Sequence, residues 1–116
     1  MAYVTAEQTR NLKKRLKQTF PNLKINVRNE HYSVAQITIA EGNIDFSDIL
    51  EDYKYLQING YYPDWYGKHS KIIKKILDIA NEGNHDHSDH MTDYFDVGWY
   101  VRLDIGSWDK PYIYKA

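Results

Sequence analysis

The hydrophobic and polar positions of this chain fall into short periodic blocks, and the clearest lies just before its last turn. Trp99, Val101, Leu103 and Ile105 share one parity there, while Tyr100, Arg102 and Asp104 share the other. Successive side chains of a strand point to opposite faces, so this pattern predicts a strand with one face on a core and one toward water. Two earlier blocks alternate in the same way. Leu23, Ile25 and Val27 interleave with Lys24, Asn26 and Arg28, and Ala35, Ile37 and Ile39 follow a polar turn over residues 29–33. Two short alternating runs joined by a polar turn predict an antiparallel hairpin.

Helical periodicity marks three further stretches. Leu12, Leu16 and Phe20 recur every fourth residue behind Thr5 and Gln8, the pair a capping box needs, and Pro21 stops the run. Ile49, Leu50, Tyr53 and Leu56 predict a second helix over residues 48–57, capped by Asp45 or Ser47. Ile72, Ile73, Ile76, Leu77 and Ala80 predict a third helix through residue 80, capped by Ser70 and stopped by Asn81 and Gly83. After Gly106, Pro111 opens a short last strand over residues 112–115, expected to hairpin onto the strand at 98–105. The order predicts an α+β fold: one antiparallel sheet of about four strands, with two or three helices packed mainly on one face. That face leaves Tyr100, Arg102 and Asp104 on the opposite side.

Composition sets the outer bounds. The 116 residues suit a single domain, 1–116, and an apolar fraction of 42% suits a folded one. Cysteine is absent, which removes disulfides and thiolate chemistry and agrees with a reducing compartment. No apolar run approaches signal-peptide or membrane-span character, so the expected location is the cytoplasm.

The net charge of −1 hides a division along the chain. Residues 1–30 hold seven Lys/Arg against two acids, whereas residues 81–97 hold five acids and no Lys or Arg. Arg10, Lys13, Lys14 and Lys17 share the first helix, and with Lys71 to Lys75 they offer phosphates a basic surface. A solvated helix face is the plainer account of them, since the interleaved aromatics and base-reading groups of a dedicated binder are missing. The acids at 48, 51 and 52 already have a structural role at the positive end of a helix dipole.

Two stretches carry candidate chemistry. Residues 58–67 set Tyr61, Tyr62, Trp65 and Tyr66 among turn signals, either as a lid over the core or as a protein-binding hot spot. Residues 85–90 read HDHSDH, with Asp93 following. His85, His87 and His90 are ordinary ligands for zinc, manganese or nickel, but their spacing matches no strong metal motif. The alternatives are a solvated loop and one that meets a partner through Asp86, Asp89 and Asp93. No glycine-rich phosphate loop and no nucleophile elbow is present.

The run from Leu12 to Arg28, LKKRLKQTFPNLKINVR, resembles the opening of the large polyvalent protein-associated domain numbered twenty-nine in its series. Ile37 to Ile39, the acidic stretch after it, and SDHMTDYFDV at 88–97 resemble later blocks of that family. The resemblance implies a phage or other mobile genetic element. It brings no catalytic residue and no cofactor. It implies a small non-enzymatic accessory protein that inhibits a host defence, of anti-CRISPR or anti-restriction type, by binding a host or element-encoded protein or a nucleoprotein complex. The aromatic excess fits that reading, with Tyr100 joining the candidate contacts. Nucleic-acid binding by the basic helix and a metal-dependent enzyme built on the His/Asp loop remain as alternatives.

Overall fold

The computed structural model describes residues 5–30, 34–59, 63–82 and 99–115. Thr5 caps the first helix, α1 (Ala6–Thr19), as its sequence predicts. Its hydroxyl accepts from the Gln8 N–H at 3.0 Å, and the Gln8 side chain accepts from the Thr5 N–H at 2.8 Å. Leu16 on its inner face is fully buried, and the helix ends at Phe20, before Pro21. The Thr9 hydroxyl donates to the Asn29 side chain and so ties the helix to the strand that follows.

That strand, β1 (Leu23–Glu30), pairs antiparallel with β2 (Val34–Gly42), opposing Ile25 to Ile39 and Val27 to Ile37. The expected hairpin is therefore present, with one bulge between Lys24 and Ile25.

Beyond β2 the chain departs from its local pattern. Only one helical turn forms, α2 (Ser47–Leu50), because Glu51 takes a positive φ of 53°. The predicted helix to residue 57 is thus cut short, and its end becomes β3 (Leu56–Gln57), which opposes Ile105 and Asp104. Backbone pairing there replaces helical bonds. A kinked 3-10 segment, Pro63–His69, leads into α3 (Ser70–Ala80), whose core stripe falls where predicted. Its N-cap is His69 rather than Ser70, with no side-chain cap bond.

The predicted strand near 98–105 is β4 (Tyr100–Ile105), and it lies inside the sheet. It pairs parallel with β2, Ile37 beside Leu103 and Ile39 beside Ile105, and antiparallel with β3. The sheet order is β1-β2-β4-β3, so the sheet is mixed and the expectation of a purely antiparallel one is corrected. With a neighbour on each side, β4 has no edge left for a hairpin partner. The last strand, β5 (Ile113–Tyr114), instead pairs parallel with β2 at Glu41 and Gly42, just past the end of β4.

The core lies on one face of this sheet. Leu23, Ile25, Ile37, Ile39, Leu103 and Ile105 meet Leu16 of α1 and Ile73, Ile76 and Ile79 of α3. Phe46 closes the lower end against His69 and Tyr112. The Tyr112 hydroxyl donates to the Ile44 carbonyl at 2.7 Å, and burial pushes its phenol above the ordinary value.

Candidate functional site

With the helices on one face, the parity opposite to the core forms an open face of the sheet. Register places Arg28 of β1, Gln36 of β2 and Arg102 of β4 in one row, and Asn26, Thr38 and Asp104 in the next. Two strand spacings separate the two arginines, roughly 10 Å of backbone. Gln36 fills the gap and is only 3% exposed, its amide donating to the Ile37 carbonyl at 3.2 Å. Tyr55 and Trp108 join these residues in lining a groove of about 590 Å³, and Trp108 is 76% exposed. Tyr100, half exposed, continues the face beyond the Arg102 row.

One wall of this groove is a closed turn. Ser107 N–H donates to the Lys110 carbonyl at 2.8 Å, and Lys110 N–H returns a bond to Ser107 at 3.2 Å. The Ser107 hydroxyl donates to Asp109 at 2.8 Å and is the main reason that carboxyl lies below its ordinary range; Lys110 and Arg28 act in the same direction. The turn thus holds Trp108 at the rim on fixed backbone.

Basic residues gather elsewhere. Lys13 and Lys17 of α1 meet Lys24 and Lys115 around a groove of about 460 Å³ that runs along Leu23 to Asn26. Among the described residues Glu41 is its only carboxylate, 3.5 Å from Lys24 and 2.5 Å from Lys115, and the Lys115 bond chiefly holds it below the usual range. On the other side of the α1 C-terminus, Lys68, Lys71, Lys74 and Lys75 border a larger hollow, about 790 Å³, floored by Phe20, Ile44 and Ile72. Arg10 and Lys14 are exposed on α1.

A second polar pair joins a buried imidazole to a surface carboxylate. His69, 4% exposed, places Nε2 2.7 Å from Asp48 Oδ1 and packs its ring on Phe46 at 4.8 Å. The hydrogen bond to His69 is the main cause of a lowered Asp48 carboxyl. Nothing local in the sequence signals this contact, since its partners stand 21 positions apart.

The sequence-predicted candidates divide. Tyr66 is buried, its hydroxyl oxygen accepting from the Asn59 N–H at 2.6 Å, so this residue packs down as a lid. Trp65 beside it is 67% exposed, and Tyr100 is exposed on the sheet face. Tyr61, Tyr62, Asp86, Asp89, Asp93, His85, His87 and His90 lie outside the described residues. Among the described residues no group of three or more His, Cys, Asp or Glu is placed to hold a metal ion. The sequence pattern does not mark Arg28, Tyr55 and Trp108 as candidates. Alternation put Arg28 and Arg102 on the non-core parity, but only the parallel β2–β4 register sets them in one row.

A family profile for large polyvalent protein associated domain 29 matches residues 3–97. The chain belongs to this family. Large polyvalent protein associated domains occur with polyvalent proteins of phages and mobile elements, so the association implied by the LKKRLKQTFPNLKINVR run holds at that level. No curated protein and no solved structure matches the chain. The stretch matched to domain 29 includes α1, β1 and α3; β4 and the Ser107–Lys110 turn lie past it. Among the described residues no helix is long and apolar enough to cross a membrane.

Proposed function

We propose that this domain is a non-catalytic accessory module of a phage or other mobile element, acting by contact with a host or element-encoded protein. The proposed outcome is inhibition of a host defence of CRISPR or restriction type. The observation that carries the binding reading is the open sheet face. Arg28 and Arg102 flank Gln36 there, beside an exposed Trp108 and Tyr55. Trp, Tyr and Arg dominate the energetics of protein interfaces because each buries a large area at small entropic cost or forms several bonds at once. Strand-borne side chains and a closed turn present them with little ordering left for binding to do.

The test is phage plating on hosts that carry a defined CRISPR or restriction system, with the domain expressed in the cell. Wild type is expected to raise plating on a defended host, and the pair Arg102→Glu with Trp108→Ala to abolish that rise while circular dichroism stays unchanged. Failure of wild type across the defence panel removes the anti-defence role. Full activity of the double variant removes this face from the contact.

A second reading has its own observation. Lys68, Lys71, Lys74 and Lys75 border one hollow, and Arg10 and Lys14 are exposed on α1. Phosphate binding by such a surface weakens steeply with salt. Duplex and single-stranded DNA titrated at low and moderate salt decide it, and absence of binding at low salt ends it.

A further inference from the structure

The position of β1 in the sheet is the starting point. It is an edge strand of eight residues, hydrogen-bonded to β2 on one side and, among the described residues, to no strand on the other. In an antiparallel ladder alternate residues direct N–H and C=O away from their partner, so the outer side of β1 presents backbone groups ready to pair. Proteins commonly guard such an edge with a lysine or a bulge; β1 has the lysine, Lys24, while the bulge opposite it adds Ala40 to β2 and leaves β1 regular. Guarding does not account for the surroundings. Lys13 and Lys17 come from a different element, α1, and with Lys115 they stand around a groove against Leu23 to Asn26. Among the described residues four lysines there meet one carboxylate, Glu41, which bonds to Lys24 and Lys115 and not to Lys13 or Lys17.

We propose that the outer edge of β1 takes up an extended acidic peptide as an added strand. The inference does not depend on the open-face reading, since Lys13 and Lys17 do not line that face and Trp108 does not line this groove. Two independent features select the occupant. The edge along Leu23 to Asn26, with no strand partner among the described residues, asks for a peptide backbone, and the lysines ask for negative charge. Nucleic acid satisfies the second and not the first. A second copy of this chain satisfies the first but brings its own lysines against these. An extended segment with carboxylates at alternate positions satisfies both, its main chain bonding to β1 and its acids on the helix side reaching Lys13 and Lys17.

The test is fluorescence anisotropy with a labelled octapeptide of alternating valine and glutamate. Binding at low salt is expected, with exchange of the amides of residues 23–29 slowed in the complex. Backbone N-methylation at alternate residues of the peptide is expected to weaken it by roughly tenfold or more, since it removes the ladder donors. The pair Lys13→Glu and Lys17→Glu is expected to weaken it comparably. Both lysines are exposed, so the fold should survive, as circular dichroism can check. Trp108→Ala is expected to leave this binding unchanged. No binding at low salt overturns the proposal. So does equal binding of the N-methylated peptide, which reduces the effect to charge. Tighter binding of oligothymidylate with the same lysine dependence overturns it in favour of nucleic acid.

Discussion

The Nε2 of His69 lies 2.7 Å from Asp48 Oδ1 and joins the start of α3 to the single turn of α2. The imidazole is almost wholly enclosed and rests on Phe46, whereas Asp48 keeps much of its surface in water. The two ends of this contact should therefore respond differently to substitution. His69→Ala leaves a cavity beside Phe46 and is expected to cost roughly 2–3 kcal/mol of stability by urea unfolding. Asp48→Asn keeps a hydrogen-bonding group at the surface and is expected to cost clearly less. Equal losses would show that the bond, not the packed ring, matters here.

Acid should weaken the fold through four carboxyls. Asp45, held by the Ser47 hydroxyl and N–H, joins Glu41, Asp48 and Asp109 below the ordinary range. A carboxyl whose value is depressed by folding stabilises above its unfolded value, about pH 4. That contribution disappears as pH falls through the folded value. The thermal midpoint is expected to change little through these groups between pH 7 and 5 and to drop below about pH 4. Asp48→Asn should make the acid drop shallower; an unchanged drop would remove Asp48 from this account.

Tyr66 separates packing from recognition in the aromatic segment. Removing its hydroxyl leaves the Asn59 N–H without this acceptor, so Tyr66→Phe is expected to cost about 1 kcal/mol. Tyr66→Ala also opens the core and should cost roughly 3–5 kcal/mol. Denaturant unfolding of both variants reads the difference. A negligible loss for the alanine variant would contradict the burial of this ring.

Gly106 turns the chain out of β4 with a φ of 72°, and its N–H donates to the Ile39 carbonyl at 2.9 Å. A Cβ at this position would lie 2.7 Å from the Tyr112 backbone nitrogen and 2.9 Å from the Lys54 carbonyl oxygen. Backbone on both sides cannot retreat as a side chain can. Gly106→Ala is expected to lose about 2 kcal/mol or more, from strain at positive φ together with the clash. Calorimetry checks it, and a stable alanine variant would require a different turn.

Features written in local spacing are legible in the sequence itself. Thr5 with Gln8, the β1–β2 alternation and the α3 stripe each depend on neighbours a few positions apart, and each formed as read. The second helix failed because its apolar spacing suits a helix while Leu56 gains a strand partner in Ile105, far along the chain. The last hairpin failed because local alternation cannot say that β4 already has two neighbours. The same ignorance of register concealed the Arg28–Arg102 row, and burial of Tyr66 could not be told from exposure of Trp65 by composition. His69 and Asp48 meet through tertiary packing alone.

The placement of β4 also bears on synthesis. This strand sits between β2 and β3, yet residues 43–99 must be made after β2 before it can enter. A ribosome therefore releases α1 and the first hairpin long before their sheet can be finished, with Ile37 and Ile39 waiting for Leu103 and Ile105. Pairings of such large sequence separation slow folding and leave sticky intermediates exposed. When expressed fast, this domain should depend on chaperones until the chain has emerged past residue 105.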